Sequence, residues 1–331
     1  PSLSNNIAFI SIKNNNQKKL HKGLIMEFKI FYHDIFQKHL VPESHPEQPD
    51  RIVTLNNMIS KKFLKNKQKI KSRKIHSYLK KVHSEKYLNM LYKLDPMNDL
   101  IQIDPDTYFS KNTLDAAETA VSGILDAIDF VMQKEDSHSF ICSRPPGHHA
   151  EPEKAMGFCI FSNAAIGAKY AVDKYKLKKV AVLDFDVHHG NGTESFFKNN
   201  NKNLVFASSH EMPLFPGTGH KNEFEYKNII NEPLDANTEG SEFLNIWTNE
   251  ILPKVKKHSP ELIIISAGFD AHEDDPLSSV KLRSKDYKIL TDIIVQFAKD
   301  NCKGRIVSIL EGGYNIKALN EAVELHIKSL N

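Results

Sequence analysis

Cysteine is scarce in this chain. Cys142, Cys159 and Cys302 are the three present, far apart and set among apolar residues. An odd, scattered set excludes a disulfide framework, and no CxxC pair offers the usual thiolate zinc site. These read as reduced core cysteines of a cytoplasmic protein. Tryptophan occurs once, as Trp247 on a stretch of helical period, where core packing is the plain expectation. Long apolar runs are missing too, and none approaches the ~20 residues needed to span a bilayer. The short apolar piece Ile7–Ile12 has no basic segment before it and KNNNQKK after it, which argues against a signal peptide. Charge of one sign is not in excess: 44 basic residues face 41 acidic ones, for a net +3. That balance gives no whole-protein case for binding nucleic acid or a membrane surface. Neither a GxGxxG nor a P-loop pattern follows an apolar strand, which disfavours a nucleotide enzyme.

What is present is a globular composition, 40% hydrophobic and 26% charged over 331 residues. Residues 1–25, rich in Asn and Lys, read as a disordered lead-in, with Met26 as an alternative start. Residues 26–331 read as a single domain, without internal repeat or low-complexity linker. Apolar strands are expected at Lys29–Tyr32, Ser139–Ser143, Val180–Leu183, Leu204–Ser208, Leu262–Ser266 and Arg305–Leu310, with a short one at Ile229 and Ile230. Between them lie helical patterns starting near Arg51 and covering Asn112–Met132, Asn163–Tyr175, Glu242–Val255, Ser284–Ala298 and Asn315–Lys328. Ile101–Ser110 reads as a polar loop. The alternation predicts an α/β fold: one doubly wound, mostly parallel sheet with helices on both faces. Lys61–Lys81 carries ten Lys or Arg and no acid. It fits a solvated helix face plus loop, or a docking surface for acidic partners.

The stretch the rest is organised around is VAVLDFDVHHGNG, Val180 to Gly192. A buried strand ends in Asp184, Asp186, His188 and His189. Unpaired charge is costly to bury, whereas a metal accepts it. Asp186 and His188, two apart, point the same way in extended backbone. The triplet alone fits a ligand pair or a solvated strand end equally. Other unusual clusters end other strands: His148-His149, Asp270 and Gly312-Gly313-Tyr314. In this fold class ligands bind beyond the carboxyl ends of the strands. Asp186, His188 and Asp270 offer three N/O ligands, as a catalytic zinc site needs, with iron as an alternative for so carboxylate-rich a set. His148 and His149 are proton carriers, Asp184 can hold one of them, and Tyr314 can aim a phenol at a developing oxyanion. Singly, each has a structural reading; together they are the parts of a metal-dependent amide hydrolase.

RPPGHHA, DFDVHHGNG, FPGTG, AGFDAHEDDPL and EGGY, in this order, resemble the motif set of the histone deacetylase superfamily. The likeness runs from about His33 to the end. It implies an arginase-like α/β fold and removal of acyl groups from the lysine ε-amine. It implies Asp186, His188 and Asp270 as zinc ligands, and His149 as general base and acid with His148 as its electrostatic neighbour. Asp184 would stand behind His148 and Asn191 behind His149, and Tyr314 would polarise the carbonyl. Gly157, Phe158 and Phe215 would line an acyl-lysine channel, and Asp106, with Asp104 as competitor, would grip substrate at the rim. Asp184, Asp186, His188 and Ser208 match a site for K+ or Na+. Asn191, where one branch has Asp, is similar to the class II and bacterial branch, which includes acetylpolyamine amidohydrolases. Leu277 stands where a polyamine-preferring member has an acid, which favours acyl-lysine peptides or proteins over a small acylated amine. A non-catalytic acyl-lysine binder is the reading from another class. No nucleic acid or membrane partner is implied, and a homo-oligomer stays open.

Overall fold

The computed structural model describes residues 26–331 apart from residues 98, 201 and 222–224; the expected lead-in lies outside these. Eight strands form one parallel sheet: β1 (Glu27–Tyr32), β2 (Lys67–Lys69), β5 (Ser137–Cys142), β6 (Val180–Asp184), β7 (Leu204–Glu211), β8 (Ile229–Leu234), β9 (Leu262–Ala267) and β10 (Arg305–Leu310). Their order is β2-β1-β5-β10-β9-β6-β7-β8. Every residue of β5, β6, β7 and β9 is buried, as expected of strands covered on both faces. On one face α4 (Thr113–Val131) packs with α5 (Asn163–Tyr175); on the other α1 (Asp50–Lys62), α9 (Ser284–Cys302) and α10 (Ile316–Leu330) pack together. Asn315 caps α10, its Oδ1 accepting from the backbone N–H of Lys317 and Ala318.

The winding matters for the site. β9 and β10 come late in the chain yet insert between β5 and β6. The four strand ends β5, β10, β9 and β6 are therefore neighbours, although their loops lie up to about 170 residues apart in sequence (311 minus 144). These loops carry RPPGHH, EGGY, AGFD and DFDVHH.

Two expectations need correcting. Ile101–Ser110 is not a polar loop but an antiparallel hairpin, β3 (Ile101–Asp104) and β4 (Thr107–Phe109), tightly turned at Pro105-Asp106. The basic run contains more than a helix face and loop: between the end of α1 and the short α2 (His76–Leu79) it supplies β2, the edge strand. Lys67 lies over the Tyr32 ring at 3.9 Å and Lys69 pairs with Asp34 at 3.2 Å. Lysines on an edge discourage pairing with another chain, which accounts for their presence in a strand that pairs on one side only, with β1. A further helix, α3 (Glu85–Tyr92), had no expectation attached. β8 extends beyond the two isoleucines and tolerates Pro233 because it is the opposite edge. Glu242–Val255 is helical through α7 (Gly240–Ile246), a π turn and α8 (Leu252–Lys256). Trp247 sits fully buried in that turn and donates to Ser209 Oγ at 3.0 Å. All three cysteines are buried and free. Among the described residues no helix is long and apolar enough to cross a membrane.

Candidate active site

Asp186, His188 and Asp270 converge. One ligand atom from each lies within 4.8 Å of the others, and all three residues are buried. His188 Nδ1 lies 3.1 Å from Asp186 Oδ1 and 3.1 Å from Asp270 Oδ2. Backbone N–H groups aim the carboxylates: His188 donates to Asp186 Oδ1 at 2.9 Å, Gly312 to Asp186 Oδ2 at 2.8 Å, and Val187 to Asp270 Oδ1 at 3.0 Å. Gly312 is required there, because a Cβ would lie 2.1 Å from Asp270 Oδ2. The donor set fits a divalent ion. One imidazole nitrogen and two carboxylate oxygens face one point, and two buried carboxylates against one imidazole leave negative charge for a cation to neutralise. Burial pushes Asp270 up, and Asp186 beside it further, to about 7. Burial also acts upward on Asp186, but His148 and then His188 outweigh it and hold that carboxyl below the usual range.

The histidine pair follows β5. The two rings lie 3.9 Å apart. His148 Nδ1 is 3.1 Å from Asp184 Oδ2, and His149 Nδ1 is 2.8 Å from Asn191 Oδ1. Identical neighbours in sequence thus meet opposite surroundings. Burial opposes charge on His148, yet Asp186 and Asp184 prevail and push it up to about 10. For His149, burial and then the adjoining His148 and His188 push the imidazole well below its ordinary value. Charge is thus favoured on His148 and disfavoured on His149.

Above this floor lies a largely apolar channel of about 290 Å³, lined by Asp106, His149, Gly157, Phe158, His188, Leu214, Phe215, Leu277 and Tyr314. Every rim and channel residue expected from the sequence lines it, together with Leu214, which was not foreseen. Asp104 does not line it and instead pairs with Lys154 at 3.1 Å. Asp106 also has a local task. Its Oδ1 accepts from the backbone N–H of Gly157 at 3.0 Å, and Thr107 Oγ1 accepts from that of Phe158 at 3.0 Å. Gly157 and Phe158 both have positive φ, +55° and +67°. Such a conformation is strained for a bulky residue and persists only when held. The hairpin supplies the holding groups. Phe158 meets the Tyr314 ring edge-on at 5.8 Å, and Phe215 meets His149 at 5.1 Å. Burial, then Asp270 and Asp186, push the Tyr314 phenol well above its ordinary value, so it stays a hydrogen-bond donor.

Sequence reasoning missed the support beneath these residues. Arg51 donates to the carbonyls of Gly313 at 2.7 Å and Glu311 at 2.6 Å, and its guanidinium lies 5.1 Å from the Tyr314 ring centre. Glu47, fully buried, binds Arg51 at 2.9 Å and Arg144 at 2.5 Å. Glu311 Oε2 accepts from the backbone N–H of Gly147 at 2.7 Å and His148 at 3.2 Å, tying the tyrosine turn to the histidine loop. The available signal was charged residues set among the prolines and glycines of HPEQPDR, RPPGHH and EGGY.

Comparison with known proteins agrees with this geometry. Residues 45–330 match the model of the histone deacetylase domain. The chain is 33% identical to a probable deacetylase of Archaeoglobus fulgidus, over 87% of this chain and 81% of that one. It is 34% identical to the uncharacterized protein slr0245 of Synechocystis, over 91% and 98%. It is also 34% identical to type-2 histone deacetylase 2 of Dictyostelium discoideum, spanning 90% of this chain but only 20% of that much longer protein. Among solved structures, the HDA15 HD domain superposes with a TM-score of 0.83 at 29% identity, covering 91% of this chain and 90% of that one. By its fold, its motifs and these relatives, the chain belongs to the histone deacetylase family.

Proposed function

We propose that the chain is a metal-dependent amidohydrolase that removes acetyl or related acyl groups from the ε-amine of lysine in a peptide or protein. The observation that carries this reading is the largely apolar channel whose lining joins Phe158, Phe215 and Leu277 to His149, His188 and Tyr314. A four-carbon lysine stem suits such walls, and its amide would arrive at the polar floor. Asp186, His188 and Asp270 would hold zinc, or iron in its place. The ion, when bound, supplies a lowered water pKa and polarises the acyl carbonyl. His149 takes the proton of the attacking water through the ring nitrogen away from Asn191, then passes it to the leaving lysine amine. His148, on which Asp186 and Asp184 favour charge, is its electrostatic neighbour. Tyr314 donates its phenolic hydrogen to the acyl oxygen.

Leu277 at the rim favours acyl-lysine over an acylated polyamine, because an apolar side chain attracts no second ammonium group. K+ or Na+ near Asp184, Asp186 and His188 is supported by Ser208, which pairs in register with Asp184. Its Oγ is 2.9 Å from His210 Nδ1, while His210 Nε2 is 2.8 Å from the Gly219 carbonyl and donates to it. The serine must therefore donate to Nδ1, leaving its lone pairs for a cation.

The test is a panel of acyl-lysine peptides of rising chain length, with acetylspermidine beside them, assayed with zinc and with iron. Release of acyl product from the peptides, abolished in Asp186→Ala, is the expected result. Turnover of acetylspermidine alone would move the assignment to small amines, and wild-type turnover in Asp186→Ala would refute the mechanism.

A further inference from the structure

His149 can accept a proton at the nitrogen facing the channel only if its other nitrogen carries the hydrogen. Asn191 decides this, and Asn191 is an amide. A carboxylate presents two equivalent oxygens; an amide has two unlike ends. As it stands, Oδ1 is 2.8 Å from His149 Nδ1, so Nδ1 donates. Turned half a revolution, the amide would offer its NH2 group to Nδ1, and the hydrogen would have to sit on Nε2. Something must choose between the two. Asn191 Nδ2 donates to Glu151 Oε1 at 2.8 Å and to the Met156 thioether at 3.5 Å. In the turned amide an oxygen would face a carboxylate and a sulfur, three acceptors without a hydrogen among them. The carboxylate bond is charge-assisted and the stronger of the two. Glu151 is itself anchored: its backbone N–H donates to the Lys154 carbonyl at 2.9 Å, and its carbonyl accepts from His83 Nδ1 at 3.1 Å. It does not touch the substrate channel. With Asn191, His189 and Glu194 it lines a separate polar cavity of about 650 Å³.

We propose that Glu151 is a positioning residue that, through Asn191, selects the Nδ1–H tautomer of His149 and so keeps Nε2 free to accept a proton. The kinetic part rests on His149 being the base of the proposed reaction; the tautomer itself does not. Two readouts therefore test it. Imidazole 15N spectra of the metal-free protein should show the Nδ1–H form of His149 in the wild type, a shift towards Nε2–H in Glu151→Ala, and a return in Glu151→Ala combined with Asn191→Asp, since a carboxylate has no wrong end. In the zinc-loaded enzyme Glu151→Ala should lower kcat about tenfold or more, with KM within about twofold. In the Asn191→Asp background, where Glu151 faces a second carboxylate, the same change should not lower kcat, and removal of that like charge can raise it. Equal losses in both backgrounds, or an unmoved tautomer, would overturn the proposal. Glu151→Gln, which keeps the shape and one acceptor oxygen, serves if the alanine variant fails to fold. A partial shift in the same direction is then expected, and no shift overturns the proposal. The predicted tautomer pattern in a protein without deacylase activity would refute the proposed function and leave the role of Glu151 standing.

Discussion

At the scale of single residues, the site separates charges that sequence proximity alone would pool. His148 and His149 are adjacent and chemically identical, yet Asp186 and Asp184 favour charge on the first, whereas burial and the neighbouring His148 and His188 disfavour it on the second. Tyr314 stays a donor because two carboxylates and burial resist its ionisation. Removing that hydroxyl should act on the transition state rather than on binding. Tyr314→Phe is expected to lower kcat about a hundredfold or more with little change in KM, measured by steady-state kinetics on an acetyl-lysine peptide; a raised KM at unchanged kcat would assign the phenol to binding instead. Glu47 is of another kind. It sits between two fully buried guanidiniums, Arg51 and Arg144. Glu47→Ala strands both, so it should destabilise the fold by about 3–5 kcal/mol, read from the denaturant midpoint. A loss below about 1 kcal/mol would mean that the arginine–carbonyl bonds suffice.

At the scale of elements, the site is made by strand insertion and steadied by a hairpin. The strands were legible because continuous apolar runs such as LIIIS and RIVSIL leave little else for the backbone to do. The buried Asp186–His188 part of the candidate ion site was legible for the same reason: these two follow such a run with groups that packing does not want. The β3–β4 hairpin was not, since Asp104, Pro105 and Asp106 read as loop chemistry and its strands have four and three residues. Nor were Glu47, Arg51 and Glu311, because the partners that bury them, Arg144 for Glu47, the Gly313 carbonyl for Arg51 and the Gly147 and His148 N–H groups for Glu311, are distant in sequence and leave no local period. The hairpin's task gives a test. Thr107→Val removes the acceptor for the strained Phe158 N–H, at a cost of about 1–3 kcal/mol, and loosens a channel wall. KM for peptide should rise several-fold while kcat changes less; an unchanged KM would show that Asp106 and packing hold the turn alone.

For the whole molecule, buried histidines set the acid limit. Burial pushes His326, His39 and His210 down to about 3 and His83 to about 4. Between these values and the ordinary value of 6.5 the unfolded chain binds more protons than the folded one, so stability rises with pH there. Each histidine thus contributes stability that is complete above about pH 6.5 and is lost towards pH 4 and below, at up to about 1.4 kcal/mol per pH unit. Asp270 and Glu311, both pushed up to about 7 with burial as the largest cause, act in the opposite sense and offset part of this. Urea midpoints should still fall as the pH is lowered from 6.5 to 4.5, and midpoints that rise over that range would contradict this. The central claim, that side chains more than eighty residues apart, such as His188 and Asp270, assemble one ion site at the channel floor, is tested most directly by metal content. After zinc loading and removal of free ion, elemental analysis should find one zinc per wild-type chain and none in Asp186→Ala or Asp270→Ala. Retention of a full equivalent of zinc by either variant would contradict it.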